Sequence, residues 1–179
     1  MFSLRSLAVP FSAAAMVLAV SGLAKLRRPG SLVRMLRAIG IPVGPVVVRL
    51  FAGLELALGT ACLVSPGRAT AVGLGLVYLS FAAFLASFLA RGIELQSCGC
   101  AGDRDLPPSW IHVGLNLAAA ATALGAASTG PAFEGVARTA AGLPLAGVGF
   151  LVGVATISWL AVLCAAYLPT VLFAYRSRS

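Results

Sequence analysis

Charge is scarce in this chain. Only 10% of its 179 residues are Asp, Glu, Lys or Arg, and just five are acidic, whereas a soluble domain carries about a quarter charged residues. That shortage excludes a water-solvated globule. Cysteine is also sparse, at four residues, and no pair of C-x2-C motifs occurs, which excludes a structural zinc site and a disulfide scaffold. There is one histidine. The 13 basic residues give a net charge of +8, yet no basic patch carries interleaved aromatics, so nucleic acid is excluded as a partner.

Apolar residues fill the space. They make up 60% of the chain, at a mean hydropathy of +1.00. In lipid every backbone polar group must be satisfied within the protein, so the expected fold is all-α. It is a polytopic membrane helical bundle of about five transmembrane helices, forming a single integral membrane domain over residues 1–179. Spans are expected at about 7–24, 45–64, 69–90, 109–127 and 143–168, the last closed by Pro169. The first run imitates a signal peptide, with Arg5 before it and Gly22-Leu23-Ala24 at its end. Lys25, Arg27, Arg28, Arg34 and Arg37 follow at once, and such a cluster resists export. A retained span is therefore expected. Between Pro29 and Ile41 the pattern is amphipathic, with Leu32, Val33, Leu36 and Ile39 on one face and Arg34 and Arg37 off it. This predicts a short helix in the membrane interface, with a plain polar connection as the alternative.

Two ionisable residues lie in the second span, Arg49 near its start and Glu55 near its middle. A charge at that depth faces the bundle interior with a partner. Arg49 lies six residues away on another face, so Lys25 at the foot of the first span is the better candidate. A structural ion pair is the preferred reading, and a proton relay the alternative. Cys62, at the end of this span, reads as an inert buried thiol.

The reactive chemistry concentrates in the loop at 91–108, which contains Ser97-Cys98-Gly99-Cys100-Ala101-Gly102-Asp103. Residues two apart do not share a helix face, but a glycine-hinged backbone brings two such sulfurs together. The ring closed in this way is small and strained, and strained, exposed disulfides are oxidising and labile. Arg104 is the nearby cation, and Asp103 and Asp105 oppose it. The fourth span opens with Trp110, an interfacial anchor, and carries His112 with Asn116 on the same face. His112 lies on the membrane side of the cysteine pair, placed either to stabilise a thiolate or to hydrogen-bond a neighbouring helix. Five crossings put Cys164 toward that side and Cys62 toward the other.

Ser21-Gly22-Leu23-Ala24-Lys25-Leu26 with Pro29, then Arg49, Glu55 and Gly59, then Cys98-Gly99-Cys100-Ala101-Gly102 occur in an order and spacing that resemble the MauE family. This is the methylamine-utilisation membrane protein family within the wider DoxX-like group. The resemblance implies a redox-associated, multi-pass protein of the bacterial inner membrane, linked to disulfide formation in methylamine dehydrogenase and to its maturation. Carried over by residue, it puts the redox role on Cys98 and Cys100 and a structural or relay role on Lys25, Arg49 and Glu55. Ala101 departs from the larger, often aromatic residue expected there.

The leading expectation is thiol–disulfide exchange between Cys98/Cys100 and a partner protein, supported by His112, Cys164 and Arg104. Electrons then pass to a second protein or to a membrane quinone, although no residue pattern marks a quinone pocket and no cofactor is expected. A non-catalytic membrane scaffold or assembly subunit is the alternative. A third reading is metal handling or transport through Glu55, Cys98, Cys100 and His112. The cysteine side also carries Lys25, Arg27, Arg28, Arg34, Arg37, Arg91, Arg104, Arg176 and Arg178, against Arg5, Arg68 and Arg138 on the other. The positive-inside rule makes the former side cytoplasmic; the family role implies the outer face.

Overall fold

A computed structural model describes residues 7–92, 109–129 and 144–176. Cys98, Cys100 and Arg104 lie outside the described residues. The elements are α1 (Ala8–Arg27), α2 (Gly30–Ala38), α3 (Pro45–Val64), α4 (Arg68–Ala90), α5 (Trp110–Thr129) and α6 (Pro144–Arg176). Among the described residues there is no strand. Five helices are long and apolar enough to cross a membrane; α2, at nine residues, is not. The architecture is the expected polytopic helical bundle.

The boundaries follow local chemistry. Pro45 opens α3, where its missing N–H costs nothing because first-turn donors lack helical partners. At the start of α4 the Thr70 hydroxyl accepts the Gly67 N–H at 2.8 Å and donates to the Gly67 carbonyl at 2.9 Å. Gly40 (φ +82°) and Gly92 (φ +65°) turn the chain out of α2 and α4, a left-handed geometry that a Cβ disfavours.

Two details go beyond the sequence pattern. Pro169 does not end the last helix, because α6 continues through it to Arg176. A proline inside a helix removes one hydrogen bond, a loss that membrane helices tolerate. On α2 the residues covered are Ser31, Val33 and Met35, while Leu32, Leu36 and Ile39 are only half-buried and Arg34 and Arg37 are exposed. The stripe that packs on the bundle is thus rotated from the most apolar one, which is left at the bundle's edge, where lipid rather than protein covers apolar surface.

The tightest contact is between α1 and α3. A Cβ on Gly22 would lie 2.7 Å from the Ala52 carbonyl oxygen and 2.8 Å from the Leu56 nitrogen; one on Gly59 would lie 2.7 Å from the Ala15 carbonyl oxygen. Early α3 therefore meets late α1 and the reverse, so the two run antiparallel, backbone against backbone, as small residues permit in membranes. The second pair is α4 with α5, where Gly75 accommodates Leu124 and Leu85 clusters with Val113. The core joins both pairs through Phe11 and Leu18 of α1, Leu74 and Tyr78 of α4, and Ala120 and Ala123 of α5. Helix α6 packs on α1, where Gly153 meets Val9, and on α5, burying Val154 and presenting Leu151, Trp159 and Leu160 outward.

This topology gives the bundle two ends. One holds Leu7, the Val64–Arg68 turn, Thr129 and Pro144. The other holds Arg27, α2, Pro45, Ala90 and Trp110, and the segment carrying Cys98 and Cys100 connects Gly92 to Ser109 there.

Candidate functional site

Lys25 lies in the last turn of α1 and Glu55 in the middle of α3. The Lys25 Nζ donates to both carboxylate oxygens of Glu55, at 2.7 and 2.8 Å. Their side chains are only 5% and 1% exposed. Gly22 precedes Lys25 by three residues and Gly59 follows Glu55 by four, so each glycine shares a face with its charged neighbour. The close backbone approach at the glycines brings the two charges within reach of each other.

A third helix completes the enclosure. The Lys25 Nζ sits 5.0 Å from the centre of the Phe81 ring on α4, within the range at which an aromatic face attracts a cation. Phe81 in turn stands edge-on to Phe51 and Tyr78, with ring centres 6.3 Å apart in each case. The Tyr78 hydroxyl donates to the Ala14 carbonyl at 2.7 Å, which binds α4 to the α1 backbone. The ion pair thus holds α1 to α3 and rests on α4.

Sequence reasoning overlooked Phe81 and Tyr78. Their signal was the 3-residue spacing of two aromatics on an apolar helix, which resembles ordinary core. Arg49 is corrected: it is exposed on α3 and takes no part in the buried pair. It stands four residues inside the helix, shallow enough for its guanidinium to reach the headgroups.

His112 is buried in the first turn of α5. Its Nδ1 accepts the Ser109 backbone N–H at 3.1 Å and lies 3.0 Å from the Ser109 hydroxyl. Because a backbone N–H only donates, Nδ1 is unprotonated and the neutral ring carries its proton on Nε2. These bonds close the start of its own helix in the manner of a capping box. Asn116 donates to the His112 carbonyl at 2.7 Å, again within α5.

Cys62 is buried near the opposite end of the bundle, its thiol 3.4 Å from the Thr70 carbonyl. Cys164 is a half-buried free thiol on α6. Among the described residues no three of His, Cys, Asp and Glu form a group able to hold a metal ion.

Five helices apolar and long enough to cross a membrane, two of them tied by a desolvated ion pair, define a multi-pass membrane protein. The profile of the family described as methylamine utilisation protein MauE matches residues 5–133, taking in α1 to α5 and the Cys98–Cys100 segment. The chain belongs to the MauE family and is a methylamine-utilisation-associated membrane protein. No curated protein and no solved structure matches it.

Proposed function

We propose that Cys98 and Cys100 form a redox pair that exchanges thiols and disulfides with a partner protein at the end of the bundle where α5 begins. The observation that carries this reading is that two cysteines stand one residue apart in the segment that joins Gly92 to Ser109, ahead in sequence of the helix whose first turn carries His112. A partner thiolate attacks the Cys98–Cys100 disulfide and forms a mixed disulfide, and the partner's second thiolate resolves it. The partner leaves oxidised and the pair is left as a dithiol, two electrons and two protons having been transferred. A second redox protein or a membrane quinone takes the electrons and restores the disulfide. Arg104 favours the thiolate at the pair. The family points to an enzyme of methylamine oxidation as the partner and to the bacterial inner membrane as the location.

The test uses membranes containing a Cys62→Ala, Cys164→Ala variant, so that only the pair reports. After reductant, a mass-tagged maleimide adds twice; after mild oxidant it does not add. Equal labelling under both conditions ends the reading. The alternative of a non-catalytic assembly subunit draws on the enclosed ion pair, which holds helices together without presenting a reactive group. Full complementation by a Cys98→Ser, Cys100→Ser variant would establish it.

A further inference from the structure

The Pro45 end of the bundle is rich in cations, and the described protein supplies them no anion. Glu55 is the only carboxylate among the described residues, and Lys25 occupies it. Arg27, Arg34, Arg37, Arg49 and Arg91 are all exposed.

Two of these arginines lie close to the start of α3. The Arg37 Nε donates to the Val43 carbonyl at 3.2 Å, using one of its five N–H donors and setting the guanidinium beside the chain as it enters α3. Arg49 stands four residues after Pro45, on the same helix face and about 6 Å deeper at 1.5 Å per residue. Its neighbours Val46, Val47 and Leu50 are 65%, 54% and 67% exposed, so this arginine rises from a lipid-facing apolar surface. Cα–Cβ bonds in a helix tilt toward its N-terminus, and long cationic side chains extend to the water boundary. Arg49 therefore reaches back toward the level where Val43 holds Arg37.

We propose that Arg37 and Arg49 grip the phosphate of an anionic phospholipid whose acyl chains lie along Val46, Leu50 and Leu54. Guanidinium matches phosphate through paired N–H donors, and the bilayer presents such an anion at its surface. The apolar strip beneath Arg49 selects a lipid over free phosphate. This site is independent of the thiol chemistry.

The full-length protein, purified in an uncharged detergent, is titrated with phosphatidylglycerol and its bound lipid counted by native mass spectrometry. The expected result is one retained phosphatidylglycerol per chain, not displaced by an equal concentration of inorganic phosphate and not matched by phosphatidylcholine. Arg49→Gln weakens retention about fivefold and the Arg37→Gln, Arg49→Gln pair by about 25-fold, while Arg27→Gln leaves it unchanged. The proposal is overturned by no loss in Arg49→Gln, by an equal loss in Arg27→Gln, or by displacement with phosphate alone. Arg49 is exposed, so the single variant stays informative if the double variant fails to fold.

Discussion

Removing one half of the Lys25–Glu55 pair strands the other half in a place without water. Both oxygens of Glu55 are taken by Lys25, so Glu55→Gln leaves a buried ammonium with no counter-charge. We expect a loss of about 3–5 kcal/mol, read as a shifted midpoint in reversible SDS unfolding of the purified protein. Replacing both residues, Lys25→Met with Glu55→Leu, recovers most of that loss, because an apolar pair of similar size needs no desolvation. Additive losses would show that the two side chains act separately. Tyr78→Phe removes the hydroxyl bond to Ala14, and about 0.6–1.7 kcal/mol is expected in the same assay. That Glu55 needs a cation is readable from the sequence, since a mid-span carboxylate is costly alone; Lys25 is the one it meets. Arg49, six residues from Glu55, lies on another face, and only the family resemblance grouped it with the pair. Phe81 is hidden for a different reason: an aromatic residue among apolar ones carries no mark of the cation above it.

At the scale of helices, the crossing of α1 and α3 depends on two missing methyl groups. Gly22→Ala and Gly59→Ala each drive a Cβ against backbone atoms that cannot move aside cheaply, and the helices must separate. The expected outcome is a loss of about 1–3 kcal/mol for each. Gly53→Ala and Gly149→Ala, where a Cβ meets nothing within 4 Å, serve as neutral references in the same unfolding assay. Helix existence was legible because lipid enforces long apolar runs. The end of α6 was not, since the rule that proline stops helices belongs to water, where the freed carbonyl is readily hydrated. The rotation of α2 was equally hidden: its pattern shows which stripe is most apolar, but Ser31 and Met35 are covered because that side faces the bundle.

For the whole molecule, five crossings place the Val64–Arg68 turn and the Arg27 end on opposite faces of the membrane. Single cysteines introduced at Ser65 and at Arg27, in a background with all four native cysteines replaced by alanine, react with an impermeant maleimide from opposite sides. Labelling from one side would rule out this threading. The excess of basic residues at the Arg27 end predicts that it faces the cytoplasm. A fluorescent protein fused after Arg178 then fluoresces, and an alkaline phosphatase fused there is inactive. That result also fixes which redox partners can meet Cys98 and Cys100.

Helix α6 runs for 33 residues, about 50 Å at 1.5 Å per residue, against a hydrocarbon layer of about 30 Å. Since Gly153 is seated against Val9 near the start of α1, the surplus overhangs its neighbour at both ends. One strut thus joins the two aqueous margins of the bilayer. At Pro169 it lacks a rung of its ladder, and the last two turns beyond it are the part that reaches past the hydrocarbon at that end.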